Sequence, residues 1–179
     1  MIYAIRGNYQ TTISKVKDYS SFSNADIEKG LRLDSGSTTE YELEYLKAAI
    51  QLAENYIADD IVLTTISLTV KEFSSDSITL LTSHLVSVSG VTINGVTISD
   101  YDINKYHSTT DLVFNSYYSG ELKITYITGF SSIPFDIKRV IIVKTADLFD
   151  IERNGYMMQN YKENNVFEKV LNNYKNYYI

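Results

Sequence analysis

The sequence predicts an α+β fold in which helices pack on a small antiparallel β-sheet. Residues 40–59 and 134–153 carry apolar side chains at helical spacing, whereas the segment between them is rich in Thr, Val and Ile. Strands grouped between helices are typical of an α+β fold. We therefore expect a short N-terminal helix, a long amphipathic helix, a central apolar helix and a C-terminal helix, with a sheet of about five strands.

Composition narrows the class of protein. The chain has 179 residues, enough for one domain with a buried core. Its net charge of -6 argues against tight binding to nucleic-acid phosphates, although DNA could still pass along an acidic surface. The absence of cysteine excludes disulfides and thiolate chemistry, and no apolar run is long enough for a membrane span. We expect neither membrane association nor secretion.

The N-terminal part predicts an arm followed by two helices. Residues 1–23 alternate briefly and then turn polar, so we expect an arm or an edge strand. A short helix follows, with Asn24 as its cap and Gly36 as its stop. The long helix begins with a capping box formed by Thr39 and Glu42. Its apolar face comprises Leu43, Leu46, Ile50, Ala53 and Ile57.

Residues 61–128 predict the sheet. Residues 61–73 and 78–81 have strand composition, and Asn94-Gly95 between alternating segments predicts a tight hairpin within residues 86–103. We expect two further strands, residues 111–115 and 121–128, joined by a turn at residues 117–120.

The helix predicted at residues 134–153 is apolar on nearly every side. Such a helix must be covered on two sides, and the rest of the chain offers little protein to cover it. We therefore predict that one of its faces is a subunit interface, formed by Ile142, Val143, Ala146 and Phe149. A central core helix in a monomer is the alternative.

Residues 156–179 predict a second, helical arm. Apolar side chains recur there at helical spacing among Asn and Lys. Because this stripe has no obvious place in a compact domain, we predict that it docks on a partner. The predicted docking residues are Tyr156, Val166, Phe167, Val170, Leu171 and Tyr174.

No motif predicts catalysis, a metal site or a cofactor. Asp34-Ser35-Gly36 matches the triplet of aspartic proteases, but it closes a predicted helix instead of following a strand. His84 and His107 lack partners at the spacing of a triad or a metal site. The acidic residues Glu40, Glu42 and Glu44 are better explained as a solvated helix face than as a cation site, because alternate helical positions point in different directions.

The order of elements and several short motifs resemble the head-tail connector, or adaptor, family of tailed double-stranded DNA phages. The resemblance covers residues 24–155, although family members commonly have more prolines than the single one present here. The motifs are Leu31-Arg32-Leu33-Asp34, Ala53-Glu54-Asn55-Tyr56-Ile57, Asp100-Tyr101, Thr125-Tyr126-Ile127-Thr128-Gly129-Phe130, Pro134-Phe135-Asp136-Ile137-Lys138, and the close of the helix from Phe149 to Arg153.

The resemblance implies a structural virion protein without enzymatic activity or cofactor. It would form a ring, expected to have twelve copies, beneath the portal protein at the capsid vertex. That ring would join the head to further tail or neck proteins and continue the channel through which DNA passes. Two alternatives remain at this point: a small hydrolase built on Asp34, and an unrelated oligomeric binding module.

Overall fold

The computed structural model describes residues 10–153 and 166–176 and confirms the α+β class. The chain divides into two compact units. Of the described residues, the sheet unit comprises 10–18, 62–131 and 176, and the helical unit comprises 19–61, 132–153 and 166–175.

The sheet unit is one six-stranded sheet in which every pair is antiparallel. Its strands are β1 (Thr11–Asp18), β2 (Leu63–Leu80), β3 (Leu85–Ile93), β4 (Val96–Thr97), β5 (Tyr101–Lys105) and β6 (Thr110–Thr128). The order is β1-β2-β6-β3-β4, and β5 also pairs with β6. Strand β1, which lies in the predicted N-terminal arm, therefore forms an edge of the sheet.

Two of the predicted strand breaks are wrong. The two segments predicted at residues 61–73 and 78–81 are joined in one strand, β2, and no turn interrupts β6 at residues 117–120. The polar residues that suggested turns lie instead at shifts of the β2–β6 register, between Val70 and Phe73 and between Ser75 and Ser77. Because bulges bend a strand without ending it, the two long strands remain paired through the bend.

The bend brings the two ends of the β2–β6 pair together. Leu80 pairs with Thr110 at one end, and Thr64 pairs with Thr128 at the other. Buried Thr82 joins the ends, because its hydroxyl lies 2.5 Å from that of Thr128 and its carbonyl accepts a 3.0 Å bond from the Thr110 hydroxyl. The curled sheet encloses a core that includes Leu68, Phe73, Leu80, Val91, Leu112, Leu122 and Ile124.

The predicted hairpin is confirmed, and it also holds the bend of β6. Asn94 and Gly95 adopt positive φ angles of 51° and 79° between β3 and β4. The Asn94 side chain accepts a 2.8 Å bond from the Glu121 amide and donates a 3.1 Å bond to the Ser119 carbonyl. It lies directly over Gly120, where any Cβ atom would collide with it. Gly120 has a φ of 129°, a backbone conformation that L side chains rarely adopt.

The first two helices are α1 (Asn24–Leu31) and α2 (Glu40–Ile57). Ser23, not Asn24, caps α1, and the helix ends before Gly36 because Arg32 turns into the left-handed region with φ 55°. The predicted capping box of α2 is confirmed, since Thr39 and Glu42 bond reciprocally.

The other two helices are α3 (Phe135–Arg153) and α4 (Val166–Leu171), and a 3₁₀ turn, Asn172–Tyr174, follows α4. The single proline, Pro134, directly precedes α3, and its carbonyl accepts the Lys138 amide at 2.9 Å. Helices α1, α2 and α4 all contact α3, which is therefore the centre of the helical unit.

Candidate assembly surface

Helix α3 has one buried face and one open face. Ile137, Val140, Ile141 and Phe149 are buried on the side that meets the other helices. On the opposite side, four residues spaced four, three and four apart share one face: Arg139, Val143, Ala146 and Asp150. We call these four residues the α3 stripe. Val143 is 41% exposed, which leaves a branched apolar side chain uncovered at its centre.

A groove of about 480 Å³ separates the α3 stripe from α4. Its apolar lining combines Val140 and Val143 of α3 with residues of α4. The Lys144 ammonium lies 5.7 Å from the centre of the Phe167 ring, a cation–π distance. The structure thus brings together part of the predicted interface, Val143, and three predicted docking residues, Val166, Phe167 and Val170.

A second groove, of about 410 Å³, lies on the other side of the stripe, beside α1. Its lining includes the predicted interface residues Ile142, Val143 and Ala146 together with Gly30 at the end of α1. Ile142 packs so closely on Gly30 that a Cβ atom there would collide with its Cγ2 atom. Three of the four predicted interface residues therefore border this groove.

The fourth predicted interface residue, Phe149, lies elsewhere. It is only 7% exposed, and its ring makes edge contacts with Tyr45 at 5.6 Å and Tyr41 at 6.2 Å between ring centroids. Its partners are thus aromatic rings of α2 in the same chain. Phe149 contributes to the core of the helical unit and is not available to another subunit in this arrangement.

Residues 166–175, called here the C-terminal segment, pack on the other helices of the helical unit. Leu171 is fully buried there, and the Tyr174 hydroxyl donates to both carboxylate oxygens of Asp136 at 3.0 Å. The Tyr56 hydroxyl donates a 2.7 Å bond to Asn172, and Lys175 lies 4.9 Å from the Tyr56 ring centre.

Apolar side chains of this segment therefore pack within the chain itself. The prediction of a docking arm rested on their having no place in a compact domain. Val166 is 53% exposed, whereas Leu171 and Tyr174 are held within the chain. Tyr156 lies outside the described residues.

Two polar contacts join the N-terminal end of α3 to its neighbours, one to α1 and one to Tyr174. The Lys138 ammonium lies 2.7 Å from the Asp26 carboxylate, and this contact, with the Ser23 hydroxyl, lowers the pKa of Asp26. Burial, followed by the hydrogen bond to Asp136, raises the pKa of Tyr174 above 10.0. Both contacts favour the ionisation states present near neutral pH.

The loop that contains Asp34 is held in place by hydrogen bonds to Glu28, which indicates a structural role. The Glu28 carboxylate accepts bonds from the Thr38 hydroxyl at 2.9 Å, the Gly36 amide at 3.0 Å and the Thr38 amide at 3.2 Å, and these bonds lower its pKa. The loop follows helix α1 rather than a strand, as the sequence indicates. Asp34 is exposed, and within residues 10–153 and 166–176 no group of three acidic or histidine side chains is placed to hold a metal ion.

The two histidines lie in the sheet unit. His84 stacks on Phe130 with 4.1 Å between ring centroids, and its Nδ1 atom lies 2.9 Å from the Ser83 hydroxyl. That hydroxyl also accepts a 3.0 Å bond from the Asn176 side chain. His107 is exposed. In the part of the chain that the structure describes, no helix is both long enough and apolar enough to cross a membrane.

No protein-family model matches the sequence, and a comparison with curated proteins finds no match. The fold, however, is similar to chains in solved structures of gene transfer agent (GTA) particles. These are the neck of an empty GTA particle computed with C6 symmetry (TM-score 0.72, 14% identity), the virion of a native GTA particle (0.73, 14%) and the neck of a native GTA particle computed with C12 symmetry (0.71, 13%).

Each of these similarities covers 94% of this chain and 97% of the other. Because nearly the whole chain is matched, the likeness concerns the fold rather than one common motif. The resemblance noted from the sequence is thereby confirmed for the fold: this chain has the fold of proteins found in the neck of a phage-like particle.

Proposed function

We propose that this chain is a structural component of the neck of a phage-like particle, where it forms a ring that joins head and tail. The observation that carries the proposal is the fold shared over nearly the full length with chains of GTA necks. The C6 and C12 symmetries of those necks support a ring of copies, and we propose twelve. The location that follows is the virion, at the capsid vertex.

Within such a ring, we propose that the α3 stripe contacts a different surface of the neighbouring copy. A cyclic ring requires contacts between two unlike surfaces, one on each side of every subunit. Val143 and Ala146 present an apolar centre flanked by charged residues, which is the composition of an interface that forms after folding. Ile142 supports this surface from the groove beside α1.

We further propose that the groove beside α4 receives the portal protein. Val166 is exposed at its edge, and Phe167 and Val170 line it. DNA would be a passing cargo, because the acidic residues outnumber the basic ones, 22 to 16, and the net charge of -6 disfavours tight binding of phosphates. We propose no catalytic role and no cofactor for this protein.

The experiment is deletion of the gene from the genome that encodes it, followed by electron microscopy of the particles. We expect heads and tails to accumulate unjoined, and the wild-type gene to restore complete particles. The Asp34→Asn variant should restore them equally, since a connector does not need this carboxylate. Complete particles from the deletion strain would contradict the proposal.

Genome context separates a connector from an unrelated oligomeric binding module. A connector gene is expected beside portal and capsid genes, because the three products assemble at one vertex. An isolated gene whose loss changes another cellular process would instead favour the binding module.

A further inference from the structure

The α3 stripe carries opposite charges at its two ends. Arg139 lies nearer the N-terminus of α3 and Asp150 nearer the C-terminus, and both side chains are exposed. Val143 and Ala146 lie between them. Read along the helix, the stripe is therefore positive, branched apolar, small apolar and negative.

The charges at the ends of the stripe are not used inside the described part of the chain. Neither Arg139 nor Asp150 has an ion pair or side-chain hydrogen bond there. The neighbouring cations of α3 are engaged, because Lys138 pairs with Asp26 and Lys144 lies over the Phe167 ring. Among the described residues, Arg139 and Asp150 thus have no charged partner, and their exposed side chains can meet charges on another molecule.

The pattern is complementary to itself when two copies run antiparallel. If Arg139 of one copy lies opposite Asp150 of a second copy, then Val143 lies opposite Ala146 at equal distances from the centre. A branched side chain facing a small one lets two helices approach closely. We propose that the free protein forms a two-fold dimer through antiparallel packing of the α3 stripes of two copies.

The size of the stripe indicates a weak dimer. From Arg139 to Asp150 it extends about 17 Å along the helix. A single helix face of this length is smaller than the roughly 800 Å² per partner of a standard stable interface. The dimer should therefore dissociate on dilution, as a form that precedes assembly must.

The dimer has a consequence that rests on the proposed function. A two-fold contact joins identical surfaces, so it cannot be repeated around a cyclic ring that joins unlike surfaces. While two copies are paired, Val143 is covered and the α3 stripe is closed to ring neighbours. The free dimer thus keeps the protein from building rings away from the capsid vertex.

The test is sedimentation equilibrium of the full chain. We expect a monomer–dimer equilibrium for the wild type. Arg139→Glu and Asp150→Arg should each raise the dissociation constant about ten-fold, because each variant places two pairs of like charges in the dimer. The double variant should recover wild-type association. An equimolar mixture of the two single variants should form about half as much dimer as the wild type, because only unlike copies pair, and much more than either variant alone. Lys71→Glu, an exposed reversal in the sheet unit, is the matched control and should change nothing.

Circular dichroism checks that each variant is folded, as expected for exposed positions. A wild-type chain that stays monomeric at every concentration would overturn the inference, as would single reversals that dimerise normally or a double variant that does not recover. The sedimentation experiment and the gene-deletion experiment test different claims. A monomeric protein required for head–tail joining would leave the proposed function standing, and a dimer dispensable for joining would leave the dimer standing.

Discussion

The sheet unit and the helical unit differ in how completely they bury their apolar residues. The curled sheet encloses its own core, because β2 and β6 bend until their ends meet at Thr82. The helical unit buries one face of α3 but leaves Val143, on the other face, 41% exposed between two grooves. The difference indicates that stability rests on residues the chain encloses by itself, and the open face of α3 is the surface that we propose for assembly.

The largest expected effect is a loss of stability when the bend of β6 in the sheet unit is disturbed. Gly120→Ala should destabilise the protein by about 3 kcal/mol or more, because the new Cβ atom meets the Asn94 side chain and the backbone there disfavours any L side chain. Urea unfolding measures the change. Gly90→Ala is the matched control: Gly90 has no atom within 4 Å of an added Cβ, so a change of less than about 0.5 kcal/mol is expected. Equal losses at both positions would contradict the role given to the bend.

Phe149 tests the boundary between the enclosed and open faces of α3. Phe149→Ala should cost about 3 kcal/mol, because it removes a buried ring that contacts Tyr41 and Tyr45. Hydrogen exchange should rise in α2 and α3 but not in β2 or β6. A variant as stable as the wild type but defective in assembly would restore Phe149 to the subunit interface predicted from the sequence.

Tyr174 gives a smaller, pH-dependent effect in the helical unit. Tyr174→Phe should cost about 1 kcal/mol at neutral pH by removing the bond to Asp136. Because folding raises the pKa of Tyr174, this contribution should be complete below pH 10.0 and should be lost as the pH rises through the folded-state pKa. Urea unfolding of both proteins between neutral and alkaline pH measures it. Tyr106→Phe, at an exposed tyrosine, should show no such difference.

Local chemistry predicted much of the fold. The capping box of Thr39 and Glu42 and the Asn94-Gly95 hairpin depend on residues close in sequence, and both are confirmed. The polar run ending at Gly120 has the composition of a turn. Pairing with distant residues of β2 nevertheless keeps it extended, and no local pattern contains that information.

The candidate surface was predicted in part. Ile142, Val143 and Ala146 border the open face of α3, but Phe149 was grouped with them although it is buried. In a helix that is apolar on most sides, periodicity alone does not identify the face that packs inward. Leu171 was predicted to dock on a partner, but it is buried within its own chain. Its helix packs on α2 and α3, which are distant in sequence, so local periodicity does not reveal the contact.

The most direct test of the division between stability and assembly is Val143→Asp, measured both for unfolding and for restoration of particles in the deletion strain. The half-exposed position predicts a loss of unfolding free energy well below the roughly 3 kcal/mol of a fully buried site, together with heads and tails that remain unjoined. A variant that folds like the wild type and restores complete particles would contradict the assignment of the α3 face to assembly.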